Sequence, residues 1–326
     1  MRAATVTRFG GPEVFDVVDR PDPVAAAGEV VIDVEVADVL WVETQVRSGI
    51  GRDYWPMRPP YVPGNGVAGR VAQVGASADR KLLGRRVVAH TGNEDGYADR
   101  AVVAADAVST IPDELDLSVA AALLHDGPTA LALFDVTQVG PDDAVLVVGA
   151  SGGLGILSVQ LASRRAARTV AIARGPKLAR VRALGPGAVV DSELPDWVEQ
   201  AGAALPDAGA DVVLDNIGGA LGEAAFALVA AGGRFSAHGT PGGRFARVGQ
   251  DEADRRGITV TGIEAVQMSD GDLKRYTEQA LREAAAGTIA PVIGQTYPLE
   301  RAGDAHAAIQ GRDVFGKTLL VTGSGT

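Results

Sequence analysis

The 326-residue chain contains no cysteine, so disulfides, thiolate metal sites and a cysteine nucleophile are all excluded. It also has no excess of basic charge, since 30 Lys and Arg residues stand against 41 Asp and Glu residues, for a net charge of -11. Nucleic acids and anionic membranes both require a basic face, so neither is expected as the main partner. No apolar run reaches the ~20 residues of a membrane span, and the N-terminus has no apolar core of signal-peptide length. We therefore expect a cytoplasmic protein.

The most informative stretch is a short apolar run that ends in a glycine-rich turn. Five apolar residues at 144–148 suit a strand buried on both faces, and helical spacing begins directly after the glycines. From Ala150 the turn reads Ala-x-Gly152-x-x-Gly155, which is the dinucleotide pattern G-x-G-x-x-G with alanine in the first place. Small residues let backbone N–H groups approach a pyrophosphate at a helix N-terminus. Such turns also occur for packing reasons, so the surrounding elements must decide.

Those elements change character along the chain. Residues 1 to about 110 read as short strands separated by glycine and proline, with the alternation of a half-buried antiparallel strand at 29–36. From residue 144 onward strands and helices alternate, with strands expected at 144–148, 169–173, 188–190, 211–215, 234–237 and 258–261. This alternation predicts an α/β fold with a parallel doubly wound sheet, which is the context that a dinucleotide turn requires.

The chain end is expected to return to the β-rich part, through a helix at 299–310 and a strand at 317–321. We therefore predict two domains. The β-rich domain comprises residues 1–118 and 288–326, and the nucleotide-binding domain comprises residues 119–287. A domain split in this way would place a ligand cleft between the two.

The choice of cofactor depends on the segment after the second strand of the doubly wound sheet. About 20 residues past the glycines, an acidic side chain would accept hydrogen bonds from the ribose of NAD. Residues 169–187 contain no Asp or Glu, but they do contain Arg174, Lys177, Arg180 and Arg182. A 2'-phosphate attracts a guanidinium, so the sequence predicts NADP(H), with Arg174 at the strand end as the main candidate. Arg180 and Arg182 fit a solvated helix face.

Motifs throughout the chain resemble the zinc-independent medium-chain dehydrogenase/reductases of the quinone oxidoreductase (zeta-crystallin-like) family. The matching segments follow the family's order over almost the whole length: 9–14, 46–49, 60–64, 68–75, 84–87, 96–98, 127–130, 149–162, 215–219 and 316–317. The resemblance implies a GroES-like N-terminal domain, a Rossmann domain with NADPH in the cleft, and usually a homodimer. It also implies hydride transfer to a quinone or an enone, or to an enoyl thioester in related enzymes.

The resemblance also points to individual site residues. Thr129 matches the family's threonine near the nicotinamide, although a hydroxyl at a helix start can instead cap its own backbone. His125 stands just before it and is a candidate proton donor near neutral pH, or else a satisfied structural histidine. The predicted cofactor ligands are Thr129, Ala150, Ser151, Gly152, Gly153, Leu154, Arg174, Lys177, Asn216, His238, Gly239 and Thr240.

The substrate side departs from the family pattern. Where the family commonly has Asn, Asp and Tyr, this chain has Leu40, Glu43 and Gln45. Loss of the polar group at Leu40 makes the pocket more apolar, so we expect a larger apolar or electron-poor small-molecule substrate. The predicted pocket residues are Leu40, Trp41, Glu43, Tyr54, Tyr61 and His125.

A metal site is not expected. Zinc-dependent relatives carry a Gly-His-Glu signature where this chain reads Gly64-Asn65-Gly66, and the four histidines are scattered along the sequence. Two alternatives to quinone or enone reduction stay open. One is another reaction on the same fold, such as enoyl-thioester reduction or a non-redox cyclisation. The other is a non-enzymatic NADPH-binding protein.

Overall fold

The computed structural model describes residues 1–50, 55–92 and 94–323, so the predicted pocket residue Tyr54 lies outside the described residues. The chain forms two compact units. Unit 1 is Met1–His125 together with Asp270–Thr326, and unit 2 is Asp126–Ser269. The boundaries predicted from the sequence were 118/119 and 287/288, whereas the contacts in the structure divide the chain at 125/126 and 269/270.

The first segment of unit 1 is rich in strands. Its elements are β1 Arg2–Val6, β2 Phe15–Asp19, β3 Glu29–Val39, α1 Trp41–Ser48, β4 Gly66–Val74, β5 Arg86–His90, β6 Arg100–Ala104, β7 Val108–Thr110 and α2 Leu117–Leu123. β3 sends Val30, Ile32 and Val34 into the hydrophobic core, as the alternation at 29–36 predicts, but Val31 is fully buried as well, so the alternation is not strict. β3 pairs antiparallel with both β4 and β6, so it lies inside the sheet.

Unit 2 alternates helices and strands, as predicted. Its elements are α3 Asp126–Thr137, β8 Ala144–Val148, α4 Gly153–Arg165, β9 Arg168–Ala173, α5 Leu178–Arg182, β10 Ala188–Asp191, α6 Trp197–Ala204, β11 Ala210–Asp215, α7 Gly219–Phe226, β12 Val229–Ala237, α8 Gln250–Arg256 and β13 Thr259–Gly262. The six strands are all parallel, in the order β10-β9-β8-β11-β12-β13. The doubly wound sheet is therefore confirmed. The strand order reverses between β8 and β11, where ligands of such sheets bind.

The closing segment completes unit 1. It contains α9 Asp270–Ala285, β14 Ile293–Pro298, α10 Ala302–Gln310 and β15 Lys317–Val321. β15 pairs antiparallel with β3 and parallel with β14, so the predicted return of the chain is confirmed. The unit's main sheet runs β14-β15-β3-β4-β5-β7, with β6 beside β3. α9 packs on β7 and α2, and Lys274 donates a hydrogen bond to the carbonyl oxygen of Asp106 (2.6 Å). This helix therefore belongs with unit 1, although the sequence had placed it in the nucleotide domain.

Several elements differ from the sequence-based expectation. The sequence also suggests a strand at 97–103, but β6 covers Arg100–Ala104 and Ala98 forms only an isolated bridge with Ala3. The sequence also suggests a helix at 177–184, but the structure has a 3-10 turn at Gly175–Lys177 followed by the five-residue α5. No single helix in the described ranges is long and apolar enough to cross a membrane, although α2 and α3 pass that test when taken together.

Candidate cofactor and active sites

In the glycine turn of unit 2, the start of α4 lies very close to the backbone of Gly149. A Cβ added to Gly155 would lie 2.1 Å from the carbonyl oxygen of Gly149, so Gly155 is required for packing of α4 against the turn. Gly149 has a φ of 77° and packs against Ile217. A Cβ on Gly152 would meet only the Gly149 carbonyl oxygen, at 4.0 Å. The space at Gly152 is therefore open, directly before the first free backbone N–H groups of α4.

Asn216 and His238 directly follow β11 and β12, close to the position between β8 and β11 where the strand order reverses. The Asn216 amide donates to the carbonyl oxygen of Val148 (2.9 Å), and its Oδ1 lies 3.0 Å from His238 Nε2. His238 Nδ1 lies 3.0 Å from the hydroxyl of Ser236. Burial lowers the pKa of His238 to about 4, so the ring is neutral at pH 7. Because Asn216 Oδ1 can only accept, His238 carries its proton on Nε2. Both predicted ligands thus hold three strand ends together through their side chains.

Asp215 and Gly239 pack the loops at the same end of the sheet. Asp215 accepts hydrogen bonds from the backbone N–H groups of Ile217 (3.0 Å) and Gly218 (2.8 Å), and burial raises its pKa. A Cβ on Gly239 would lie 1.9 Å from the backbone of Asn216, so this predicted ligand is also a packing glycine. Thr240 follows it and is half-buried.

Arg174 stands where the sequence placed the phosphate ligand, directly after β9. Its Nε and Nη2 both donate to Glu193 Oε1, at 2.9 and 2.8 Å. Glu193 follows β10, and its backbone N–H donates to Asp191 (3.0 Å). A Cβ on Gly175 would lie 3.1 Å from Glu193 Oε2 and 3.2 Å from Asp191 Oδ2. Two carboxylates therefore flank the turn. The sequence search missed them because it ended at residue 187, before the strand that lies beside β9 in the sheet.

Lys177 and Thr129 also lie in unit 2. Lys177 ends the 3-10 turn after Arg174 and is half-buried. Thr129 lies in the first turn of α3 and is half-buried. The other predicted catalytic residue, His125, belongs to unit 1.

Unit 1 contains a directed chain of buried hydrogen bonds that ends on Glu43. Arg47 Nε donates to His306 Nδ1 (3.3 Å), and burial lowers the His306 pKa to about 3, so the neutral ring donates from Nε2 to the Tyr97 hydroxyl (3.1 Å). Tyr97 in turn donates to Glu43 Oε2 (2.7 Å). All three donors point from the cation toward the carboxyl group.

Glu43 is a buried acid with a raised pKa. It is the third residue of α1, and its carboxylate accepts the backbone N–H of Leu40 (2.8 Å) at the helix start and that of Asn65 (2.9 Å) from another loop. Burial raises the Glu43 pKa to about 7, although the hydrogen bonds from Leu40 and Tyr97 act against this shift. Glu43 can therefore exist with or without a proton near neutral pH.

A second buried cluster surrounds Asp38. Its Oδ1 pairs with Lys317 (2.7 Å) and its Oδ2 lies 2.8 Å from His125 Nδ1. Burial opposes ionisation of Asp38, but the charge of Lys317 and the His125 contact outweigh it and lower the pKa. His125 Nε2 lies 3.2 Å from His90 Nδ1, so both nitrogens of His125 are engaged inside unit 1. Burial lowers the His90 pKa to about 3. Among the described residues, His90 Nε2 has no hydrogen-bond partner.

The predicted substrate residues are brought together only in part. Glu43 and Tyr61 line one small cavity of unit 1, together with Val42, Val46, Trp55, Met57, Pro63 and Asn65. Leu40 and Trp41 begin α1 and are half-buried. His125 belongs instead to the Asp38 cluster. Tyr97 and Lys317 lie in segments that match family motifs, but their pairing with Glu43 and Asp38 was missed because the partners are distant in the sequence. His306, which contacts Tyr97, follows no motif.

The doubly wound sheet, the glycine turn and the β-rich unit that the C-terminal segment completes define a medium-chain dehydrogenase/reductase. Residues 26–113 match the family model for the alcohol dehydrogenase GroES-like domain, and residues 184–320 match the model for zinc-binding dehydrogenases. The chain is 30% identical to mouse quinone oxidoreductase over 331 residues, which cover 98% of each protein. The chain belongs to the quinone oxidoreductase family, and it is an oxidoreductase.

Solved structures agree with this assignment. A mycobacterial protein complexed with NADPH is 27% identical and superposes with a TM-score of 0.87, covering 98% of this chain and 99% of that one. An NAD-dependent alcohol dehydrogenase is 28% identical, also with a TM-score of 0.87, covering 99% of this chain and 100% of the other.

Zinc, which the second family description names, does not fit the residues present. The chain has no cysteine to supply a thiolate. Within residues 1–50, 55–92 and 94–323, no group of three or more His, Asp or Glu side chains could hold a metal ion. We assign no step of the reaction to a metal.

Proposed function

We propose that this oxidoreductase transfers hydride from NADPH to a quinone or another α,β-unsaturated carbonyl compound. The observation that carries the cofactor site is the contrast within the glycine turn. Gly155 is fixed by the Gly149 carbonyl oxygen, whereas Gly152 faces open space at the start of α4. A turn that serves only for packing would need Gly155 alone. A turn that receives a pyrophosphate also needs a glycine at position 152, so that the phosphate can approach the backbone.

NADPH is favoured over NADH by the charges beyond the turn. Arg174 offers two guanidinium donors, the geometry that suits a phosphate, and Lys177 follows three residues later. The mycobacterial structural relative complexed with NADPH supports the same choice. The cofactor, when bound, supplies a hydride from its nicotinamide ring. The backbone of residues 150–154 would hold the pyrophosphate, and Thr129 is the candidate contact for the nicotinamide.

The acceptor is proposed from the side chains of unit 1 and from the mouse relative's name, quinone oxidoreductase. Leu40 and Trp41 make the start of α1 apolar, and the cavity beside Glu43 is lined mainly by apolar side chains. Reduction of an enone or quinone also requires a proton. Glu43 is a better candidate than His125 for holding that proton, since it lines the cavity and burial raises its pKa to about 7, whereas Asp38 and His90 engage both ring nitrogens of His125. The expectation of an acceptor larger than a simple quinone rests on Leu40 and Trp41, since the cavity beside Glu43, at about 20 Å³, has room for about one water molecule.

Consumption of NADPH with a panel of acceptors tests this function. We expect turnover with bulky enones or substituted naphthoquinones that exceeds turnover with benzoquinone. Enoyl thioesters belong in the panel as the acceptors of the alternative reductase reaction. Tight NADPH binding without turnover of any acceptor would contradict the proposed reaction, and faster turnover of benzoquinone than of every larger acceptor would contradict the proposed size preference.

The assembly and location are separate proposals. We propose a homodimer in the cytoplasm, as the sequence and its family resemblance suggest. Light scattering on the eluting protein measures the mass of the assembly, and fractionation of the source cells measures the location. A monomer in the first measurement would contradict the dimer without affecting the proposed chemistry.

A further inference from the structure

The ion pair between Arg174 and Glu193 has a consequence for cofactor choice. We infer that Glu193 sets the preference between NADPH and NADH by competing with the 2'-phosphate for Arg174. This inference rests on the proposed cofactor site. It adds a specificity residue that lies on a different strand from the arginine.

The geometry makes the two anions rivals for the same donors. Arg174 directs both Nε and Nη2 at one oxygen of Glu193, at 2.9 and 2.8 Å. These two neighbouring N–H groups form the fork that binds a phosphate through two parallel hydrogen bonds. A phosphate and Glu193 cannot both occupy that fork. A phosphate bound in that fork displaces Glu193, and a phosphate bound through the remaining Nη1 and Nη2 hydrogens shares the guanidinium with a second anion, so Glu193 weakens its binding in both cases.

The surrounding charge adds repulsion. Asp191 lies beside Glu193, and both carboxylates would lie within 3.2 Å of a Cβ built on Gly175, in the turn after Arg174. A phosphate carrying about two negative charges at this turn meets both of them. NADH carries no phosphate there, and a carboxylate near the ribose can accept its hydroxyl hydrogens. Glu193 therefore disfavours NADPH and favours NADH.

The size of the effect follows from exposure. The side chains of Arg174 and Glu193 are 48% and 45% exposed, so water screens the pair and the pair is weak. Removal of such a competitor should change the affinity by about two- to five-fold. The arginine itself should contribute more, since a phosphate held by two charged hydrogen bonds improves binding by about ten-fold or more.

Titration of purified protein with NADPH and NADH, followed by cofactor fluorescence at fixed ionic strength, tests this inference. The variants are Glu193→Gln, Arg174→Gln and the double variant, with Glu199→Gln as the matched control. Glu199 is an exposed carboxylate in α6, so its replacement removes the same charge. We expect Glu193→Gln to bind NADPH about two- to five-fold more tightly than the wild type. NADH affinity should stay constant or fall.

The Arg174→Gln background separates competition from general charge. There the Glu193→Gln change should raise NADPH affinity less than it does in the wild type, because only the direct repulsion between Glu193 and the phosphate is left to relieve. An equal gain with and without Arg174 would overturn the inference, as would an equal gain for NADH or no gain beyond the Glu199→Gln control. A wild type that binds neither cofactor would instead overturn the proposed function, and this inference with it.

Discussion

The buried chain that ends on Glu43 makes a sharp prediction for two tyrosines. Tyr97 is fully buried, and its hydroxyl donates to Glu43 and accepts from His306. Tyr61 is 8% exposed, and its hydroxyl has no hydrogen-bond partner in the described part of the chain. Replacement by phenylalanine removes a single oxygen from each residue. The two variants therefore change the ring packing very little and differ in the hydrogen bonds that are lost.

The magnitude for Tyr97→Phe has two sources. It removes a hydrogen bond to an ionisable carboxyl group and leaves the His306 Nε2–H buried without an acceptor, for a total cost of roughly 2–4 kcal/mol of unfolding free energy. Tyr61→Phe removes a buried hydroxyl that has no described partner, so we expect a change within about 0.5 kcal/mol or a small stabilisation. Urea denaturation of both variants and the wild type measures the difference.

The pH dependence provides a second check on the same pair. The folded pKa of Glu43 is raised to about 7, so the stability associated with this group is lost as pH rises from its ordinary pKa through 7. The Tyr97 hydrogen bond lowers that pKa, and its removal makes the ionised form still less favourable. The cost of Tyr97→Phe should therefore be larger at pH 8 than at pH 6. Equal costs for the two tyrosine variants at both pH values would refute the proposed role of the chain.

Three other predictions concern the glycine turn, the Asp38 pair and the buried histidines. Gly152→Ala should leave the melting temperature unchanged in calorimetry but weaken NADPH binding at least ten-fold in a cofactor titration. Gly155→Ala should instead lower the melting temperature, because its Cβ would meet the Gly149 carbonyl oxygen. Lys317→Met should lower the unfolding free energy by about 3–5 kcal/mol because it leaves Asp38 buried and without its cation; full stability in urea denaturation would contradict this. From pH 6 to pH 5 the unfolding free energy should fall by roughly 2–3 kcal/mol. Burial lowers the pKa of His90, His238 and His306, so these histidines take up protons only when the chain unfolds, while folded Glu43 already holds one proton. Urea titrations that show constant stability between the two pH values would contradict this prediction.

The parallel sheet of unit 2 could be predicted from local sequence patterns alone. β8 is buried along its whole length, so its apolar run was visible without any knowledge of its neighbours. The turn after it carries its own signal in the spacing of glycines. The return of β15 to the first unit could also be predicted, because the strand follows a chain that had left the alternating pattern.

Long-range partners could not be predicted in this way. Glu43 accepts from Tyr97, and Tyr97 accepts from His306, at separations that no periodic pattern records. The side chain of Glu43 also takes the place of the Ser, Thr, Asp or Asn cap that usually marks a helix start. Glu193 approaches Arg174 only because β10 lies beside β9. The boundary predicted at 287/288 groups α9 with the nucleotide domain, whereas its contacts are with β7 and α2. A helix that follows a parallel sheet has the same apolar spacing whichever surface it covers, so the sequence does not show which unit it joins.

The position of β15 has a consequence for synthesis of the protein. This strand lies between β14 and β3, and it brings Lys317 to Asp38. A ribosome releases residues 126–269 well before it releases β15, so the middle unit has all of its strands while the unit that began first still has a gap in its sheet. Domains fold as units once their chain is available. Residues 36–39 of β3 therefore keep an open edge until β15 has left the ribosome.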